Sequence, residues 1–363
     1  MRTVSVVPWE ALGQPPWAPP EAPSSSRLPD ACEVLVVGAG ITGLSAALWF
    51  AAAGRDVVVV DREFGAGAAG RSGGIVVGDT LVGPSPEFDD CDRALRDWIA
   101  VNAPECRARW AGCLELDRED HLPAAPIDWT DAGRVRLART IDGGTIDPAA
   151  LVSALGRVVV ARGGRVVTPA AIERYEARGA SVIAHTRDRE IRAEAVLVCV
   201  DATSRADGGA DPWPLRQLTI ALETDVLPDR VADAMGWRDR LPFYTNELPL
   251  LWGRAMDDGA MVAGRELVPI DATADAAVVA RAIDEAGARL TSRIRGLHPV
   301  LATLGIRRIW AGPIARDERG VPSIQQDRSL ARVWWAGGYG GHGLAQAFRL
   351  GALAARQVSA ELV

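Results

Sequence analysis

A glycine motif between two apolar runs is the feature that most constrains what this chain can fold into. Gly38, Gly40 and Gly43 form the pattern G-x-G-x-x-G. The motif follows a β-branched apolar run at 34–37 and opens a helical pattern at 41–53, so it lies between a predicted buried strand and a predicted helix. This order is typical of a unit in which the helix N-terminus faces the phosphates of a dinucleotide.

Each residue type of the motif has a physical task in such a unit. Gly38 allows the tight turn, Gly40 lets backbone amides approach a pyrophosphate, and Gly43 lets the helix pack closely on the strand. A second apolar run at 57–60 predicts the next strand, and Asp61 follows it, 21 residues after Gly40. A carboxylate at this position can accept hydrogen bonds from a ribose. The segment therefore predicts a complete dinucleotide-binding βαβ unit.

The composition restricts the class of protein. A length of 363 residues predicts about two domains, and a net charge of −7 without a basic cluster argues against nucleic acid as a partner. No apolar run is long enough to cross a membrane, and we find no signal-peptide pattern. The five cysteines lack C-x-x-C spacing. We therefore expect a cytoplasmic protein with reduced thiols, no metal site and no membrane partner, and its oligomeric state stays open.

The same glycine spacing recurs at Gly65, Gly67 and Gly70, but here it follows a loop rather than a strand. We interpret this second match as a long Gly/Ala loop whose backbone passes close to a flat ligand. Arg71 and Ser72 are the polar side chains of the loop that have reach. They are predicted to contact a pyrophosphate or a ring system.

A third match, at Gly338, Gly340 and Gly343, follows a predicted strand at 333–336 and opens a helix that runs almost to the C-terminus. Only 20 residues follow Gly343, which leaves no room for a second strand and a ribose-binding acid. The helix N-terminus must then serve another electron-rich group. A reduced flavin, which is anionic at N1, fits this description.

Four segments in this order resemble the D-amino-acid-oxidase-type FAD-dependent oxidoreductases. They are GAGITGLSAAL at 38–48, GAAGRSGG at 67–74, GGTIDPAALVSAL at 143–155 and WWAGGYGGHGL at 334–344. That family includes glycine oxidase, sarcosine oxidase and gamma-glutamylputrescine oxidase, and the second segment looks most like the last of these. The resemblance covers roughly residues 30 to 363.

The resemblance implies an α/β fold. A Rossmann-like FAD-binding domain would be assembled from 31–85, 145–214 and 305–363. An interleaved α+β substrate domain, built on an antiparallel sheet, would comprise 86–144 and 215–304. Residues 1–30 form a proline-rich arm, for which docking through Trp9 and Trp17 is favoured over disorder.

The resemblance also implies noncovalent FAD, because covalent-flavin relatives use a cysteine in the last third and this chain has none after Cys199. Gly38, Gly40, Gly43 and Asp61 would bind the ADP part. The further residues predicted to contact FAD are Arg62, Arg71, Ser72, Gly73, Gly74, Ile172, Gly338, Gly340, Gly341, His342, Gly343 and Leu344.

The implied chemistry is oxidation of a C–N bond in an amine or amino-acid derivative, by hydride transfer to flavin N5. His342 and Arg316 are the residues predicted to take part. The family's arginine for a substrate carboxylate falls on Ile314 here, and Arg316 would share its face of a strand. This departure favours amines or modified amino acids over simple α-amino acids. Among the aromatic residues, some could line a substrate pocket, although core packing is the commoner role: Trp213, Trp237, Tyr244, Trp252 and Trp310.

All 40 basic residues are arginine, so neither a lysine base nor an oxygen-activating lysine is available. The final electron acceptor, oxygen or another compound, therefore stays open. One alternative is a non-catalytic flavin-binding subunit of a larger complex. Another is an NAD(P)-dependent dehydrogenase, against which the single complete dinucleotide motif argues.

Overall fold

The computed structural model describes residues 9–23, 27–131, 134–200, 212–269 and 275–362. The strands in these ranges are β1 (Ala31–Val37), β2 (Val57–Val60), β3 (Ile75–Val77), β4 (Cys113–Asp117), β5 (Arg136–Ile141), β6 (Gly143–Thr145), β7 (Arg165–Val167), β8 (Arg174–Arg178), β9 (Ser181–His185), β10 (Glu190–Val198), β11 (Leu215–Val226), β12 (Phe243–Thr245), β13 (Trp252–Ala255), β14 (Ala260–Pro269), β15 (Ile306–Arg316), β16 (Ser323–Gln326) and β17 (Val333–Gly337). The α-helices are α1 (Ile41–Ala52), α2 (Ala68–Arg71), α3 (Cys91–Asn102), α4 (Pro148–Ala161), α5 (Asp229–Ala234), α6 (Ala276–Gly296) and α7 (Leu344–Ala360).

The first sheet has the strand order β16-β17-β10-β1-β2-β7, and β9 and β8 extend it beside β10. Strands β17, β10, β1, β2 and β7 are parallel to one another, whereas β16 is antiparallel to β17. Their apolar residues are buried because one core cluster lies under α1, α3, α4 and α7 and a second lies on the opposite face. The predicted β1-α1-β2 unit is therefore confirmed.

The second sheet has the order β15-β11-β14-β13-β12-β4-β5. Its neighbours are antiparallel except for β12 and β4, which are parallel. Helix α6 covers one face, and its buried residues share a core cluster with the strands beneath it. The predicted fold, a Rossmann-like domain with a substrate domain on an antiparallel sheet, is confirmed apart from this one parallel pair.

The domain boundaries stay a prediction, and two segments pack against a sheet other than the one that their predicted domain would contain. Strand β15 was expected in the FAD-binding domain, yet it pairs with β11 along its length and forms the edge of the second sheet. Helix α3 was expected in the substrate domain, yet Leu95 and Ile99 pack in the core beneath the first sheet. Long-range strand pairing and helix docking decide these memberships, and the chain order alone does not carry them.

The proline-rich arm is docked in its described part. Leu12 is fully buried, and Trp17 is only 8% exposed. The Trp17 indole packs edge-on against Trp310, with ring centroids 5.8 Å apart. Its Nε1 donates a hydrogen bond to the carbonyl oxygen of Gly70 at 2.7 Å. The side chain of Trp9 lies outside what the structure describes. Within the described residues, no helix is both long enough and apolar enough to cross a membrane.

Candidate cofactor and substrate site

A cavity of about 1210 Å³ lies between the two sheets. It exceeds the roughly 300–1,000 Å³ of an ordinary small-molecule pocket, so it has room for a dinucleotide and a substrate together. Predicted site residues that line it are Gly38, Gly40, Asp61, Arg62, Arg71, Ser72, Gly73, Ile172, Arg316, Gly340, Gly341, His342, Gly343 and Leu344. Predicted residues outside the lining are Gly43, Gly74 and Gly338. The contacts of all these residues with FAD stay predictions.

The first glycine turn has the geometry that its sequence indicates. Gly38 has φ +112°, a region that L side chains rarely adopt. A Cβ at Gly43 would lie 2.0 Å from the carbonyl oxygen of Gly38, which explains why helix α1 can approach β1 only with glycine here. A Cβ at Gly40 would meet only the Ala69 side chain, at 3.6 Å. The backbone at Gly40 is therefore open toward the cavity.

Asp61 is held beside this turn at the end of β2. Its Oδ2 accepts a hydrogen bond from the backbone N–H of Ala39 at 2.6 Å, and its Oδ1 accepts one from Glu63 at 3.2 Å. Burial raises the pKa of the carboxyl group, and these backbone donors oppose that rise. The side chain is thus fixed at the cavity wall with lone pairs left for the hydroxyl groups of a ribose.

The second glycine segment is not a plain loop, because it contains the four-residue helix α2. The Arg71 side chain at its end is buried, and its Nε donates to the carbonyl oxygen of Ala311 at 2.7 Å. Its Nη2 donates to Leu12 at 2.8 Å and also to Gly13. Burial lowers the Arg71 pKa to about 10. These donors join the arm and the second sheet to the loop, a structural task that the sequence did not reveal.

The third glycine segment presents His342 and the N-terminus of α7 to the cavity. The imidazole lies edge-on to the ring of Tyr244, with centroids 6.1 Å apart. Burial lowers its pKa to about 4, and the nearby Asp79 opposes this shift. Among the described residues, its Nδ1 is buried without a hydrogen-bond partner. A neutral imidazole with an unused nitrogen can serve a bound ligand.

Tyr244 anchors a chain of polar contacts beside His342. Its hydroxyl donates to Glu115 Oε2 at 3.0 Å. Glu115 also accepts a hydrogen bond from Arg139, which in turn donates to Asp79. Burial and the Glu115 carboxylate raise the pKa of Tyr244. The phenol therefore stays protonated and keeps its hydrogen directed at Glu115.

One face of the second sheet forms the opposite wall of the cavity. On β15 the alternate residues Trp310, Gly312, Ile314 and Arg316 all line it. The predicted shared face of Ile314 and Arg316 agrees with this arrangement. Strand β11 contributes Gln217, Thr219 and Ala221 to the lining, whereas Leu218, Ile220 and Leu222 face the core under α6. Of the five candidate aromatic residues, those that line the cavity are Tyr244, Trp252 and Trp310. The remaining two, Trp213 and Trp237, are buried in core clusters.

Sequence reasoning missed Arg265, which lies on β14 and also lines the cavity. The register of β14 against β11 shifts by one residue between Gly264 and Leu267. Such a bulge turns a side chain to the other face of a sheet. The only sign in the sequence is the pattern G-A-M-V-A-G-R-E, where a glycine interrupts a strand.

Comparison with known proteins gives one family match. Residues 33–357 match the family model described as DAO, FAD dependent oxidoreductase. The probable oxidoreductase OrdL of Rhizobium meliloti (strain 1021) is 24% identical over 378 aligned positions, which cover 90% of this chain and 83% of that protein. The gamma-glutamylputrescine oxidoreductase of Escherichia coli (strain K12) is 57% identical over 47 residues, 13% of this chain and 11% of that protein.

Among solved structures, the L-amino acid deaminase from Proteus myxofaciens in complex with anthranilate superposes with a TM-score of 0.75. The match covers 94% of this chain and 93% of that chain at 15% identity. At this identity the likeness shows the fold alone.

Proposed function

This chain belongs to the DAO family of FAD-dependent oxidoreductases, and we propose that it oxidises a C–N bond of an amine or amino-acid derivative. The observation that carries the proposal is the single cavity that joins the first glycine turn and Asp61 to His342, the N-terminus of α7 and one face of the second sheet. A cofactor and a substrate bound there would share one enclosed space.

The residues that line the cavity fit FAD. Gly38, Gly40 and Asp61 would hold the ADP part, because the turn offers open backbone and the carboxylate offers acceptors. The loop at 71–73 and the segment 340–344 would flank the flavin. No cysteine follows Cys199, which supports noncovalent binding. When bound, FAD supplies the acceptor, at flavin N5, for the hydride that leaves the substrate carbon.

The protein's own residues bind and orient. The partial positive charge at the N-terminus of α7, at Gly343 and Leu344, would stabilise negative charge that develops on a group bound there. His342 is neutral near pH 7, since its pKa is about 4. Its free Nδ1 can accept or donate one hydrogen bond without adding charge. The substrate amine must arrive as the free base, so that its lone pair can assist loss of the hydride.

The substrate class rests on the relatives. The Escherichia coli relative is named for gamma-glutamylputrescine and the Proteus structure for L-amino acids, and both substrates contain a C–N bond of the required kind. Oxidation removes a hydride and a proton and leaves an imine, which water hydrolyses to a carbonyl compound and either ammonia, from a primary amine, or an amine, from a secondary one.

Anaerobic reduction of the FAD-loaded protein tests this proposal. A panel of amines and amino acids is added, and the visible flavin absorbance is followed. Bleaching by one compound, with stoichiometric formation of its imine or carbonyl product, is the expected result. Admission of oxygen or of a dye then identifies the acceptor. FAD that stays oxidised with every compound would instead support a non-catalytic flavin-binding subunit.

A further inference from the structure

Strand β14 changes the face that its side chains present half-way along its length. Met261 and Ala263 are fully buried in the core under α6. Arg265 and Leu267 follow at the same two-residue spacing, yet both line the cavity on the opposite face. The cause is the bulge in β14. Thr219 of β11 pairs with Leu267, and Ala221, two residues later on β11, pairs with Gly264, which lies three residues before Leu267 on β14.

The neighbour of Arg265 supports this orientation. Glu266 Oε2 accepts a hydrogen bond at 2.9 Å from Nε of Arg289 on α6, so Glu266 faces the helix. Adjacent strand residues point to opposite faces. The bulge therefore delivers one arginine into the cavity from a strand that is otherwise apolar on both sides up to Gly264.

Arg265 is incompletely satisfied where it lies. Its side chain is 18% exposed, and its Nη1 is buried without a hydrogen-bond partner among the described residues. The counter-ion is Glu247, whose Oε2 lies 3.6 Å from that Nη1. Glu247 Oε1 already accepts a hydrogen bond from Arg118 Nε at 2.9 Å. A partly buried guanidinium in this state gains from an added anion that accepts hydrogen bonds from it.

Two other arginines of the cavity wall, Arg71 and Arg316, donate to backbone carbonyl groups. Arg71 donates to three backbone carbonyl groups. Arg316 Nη1 donates to the carbonyl oxygen of Asp317 at 3.3 Å. Arg265 differs from both because, among the described residues, it has a buried side-chain nitrogen without a hydrogen-bond partner and they do not.

Trp252 links Arg265 to the loop predicted to flank the flavin. Trp252 pairs with Gly264, the residue before Arg265. A Cβ at Gly264 would lie 2.3 Å from one end of the indole, and a Cβ at Gly73 would lie 2.4 Å from the six-membered ring. The indole therefore spans the distance from β14 to the 71–73 loop. A small molecule held by Arg265 can extend along this ring toward that loop.

We propose that Arg265 recognises a carboxylate on the substrate, and thereby selects amines that carry an anionic group. The proposal rests on the function proposed above, because it concerns the substrate of that oxidation. Arg265 lies on β14, whereas Ile314, at the position of the family's carboxylate-binding arginine, lies on β15. Glu247 holds Arg265 in place in the absence of substrate and stays paired with Arg118 when the substrate carboxylate replaces it.

The test uses benzoate as an anionic probe and benzamide as its neutral match. Each is titrated into the FAD-loaded protein, and binding is followed both by the change in the flavin spectrum and by the shift in thermal unfolding. We expect benzoate to bind in preference to benzamide. Arg265→Gln removes a charged hydrogen bond worth about 1.5–3 kcal/mol, so the benzoate dissociation constant should rise roughly 10- to 150-fold.

Two further variants separate recognition from a merely structural role. Glu247→Gln removes the competing carboxylate, so benzoate should bind several-fold more tightly than to the wild type. Glu266→Gln, one residue away on the opposite face, should leave benzoate binding unchanged. Arg265→Lys keeps the positive charge but lacks the planar guanidinium group, so it should retain part of the affinity for benzoate. This variant replaces Arg265→Gln in the titration if Arg265→Gln does not fold.

The proposal is overturned if the wild type binds benzoate no better than benzamide, or if the loss follows Arg316→Gln instead of Arg265→Gln. The same anaerobic reduction with γ-aminobutyrate and butylamine should favour the carboxylate-bearing amine in the wild type, with the preference lost in Arg265→Gln. If benzoate binding depends on Arg265 while no amine bleaches the flavin, the oxidation proposal fails and the anion site stands.

Discussion

Replacement of Trp17 by alanine tests whether the N-terminal arm is an integral part of the fold around the cofactor loop. The Trp17 side chain is 8% exposed and belongs to a cluster with Trp310, Ala221 and Val262. Its indole also donates to the Gly70 carbonyl oxygen in α2. The change removes both the packing and the hydrogen bond at once.

The expected magnitude follows from these contacts. Truncation of a buried Trp or Phe to alanine costs about 3–5 kcal/mol, of which a hydrogen bond accounts for about 1 kcal/mol. The arm can also detach, and the Leu12 and Gly13 carbonyl groups would then leave Arg71, a buried cation, with fewer acceptors. We expect the free energy of unfolding of the apoprotein to fall by about 3 kcal/mol or more.

Equilibrium urea unfolding, followed by circular dichroism, measures this loss. Trp49→Ala is the matched control, because Trp49 on α1 is 42% exposed and lies against the guanidinium of Arg356; it should cost about 1 kcal/mol or less. Trp17→Phe keeps most of the packing, so its loss in free energy of unfolding should lie between those of Trp17→Ala and Trp49→Ala. Equal midpoints for Trp17→Ala and the wild type would refute the docked arm.

Other substitutions test the remaining parts of the site. Asp61→Asn should weaken FAD binding about 10- to 100-fold in a fluorescence titration, because the fixed carboxylate is lost; unchanged affinity would remove Asp61 from the cofactor site. Gly43→Ala should lower the free energy of unfolding by about 1–3 kcal/mol, because its Cβ meets Gly38, whereas Gly296→Ala, with nothing within 4 Å of its added Cβ, should not. His342, with a folded pKa of about 4 against 6.5 unfolded, stabilises the apoprotein fully above pH 6.5 and loses that contribution as the pH falls toward 4; a His342→Gln variant with the same acid limb as the wild type would contradict this.

Local sequence signals were enough to predict the cofactor side of the fold. The strand, turn and helix around Gly38 depend on residues within one βαβ unit. The C-terminal strand, glycine turn and helix are equally local. In each case a glycine occurs at the turn between strand and helix, where the backbone geometry requires one.

Features that depend on distant partners could not be predicted in this way. Arg71 is bound by carbonyl groups from residues 12, 13 and 311, so its structural role emerges only when three chain segments meet. Arg265 reaches the cavity through a one-residue shift in strand register, which residue periodicity does not encode. The neutral state of His342 results from burial, which the isolated motif does not specify.

A titration of the purified protein with FAD, followed by its visible spectrum and protein fluorescence, tests the central claim most directly. The cavity with its glycine turn and Asp61 predicts saturable binding of one FAD per chain, with a resolved flavin spectrum characteristic of a buried ring system. FAD should remain bound on gel filtration but be released on denaturation, as a noncovalent ligand is. A protein that takes up no FAD under folded conditions would contradict the account.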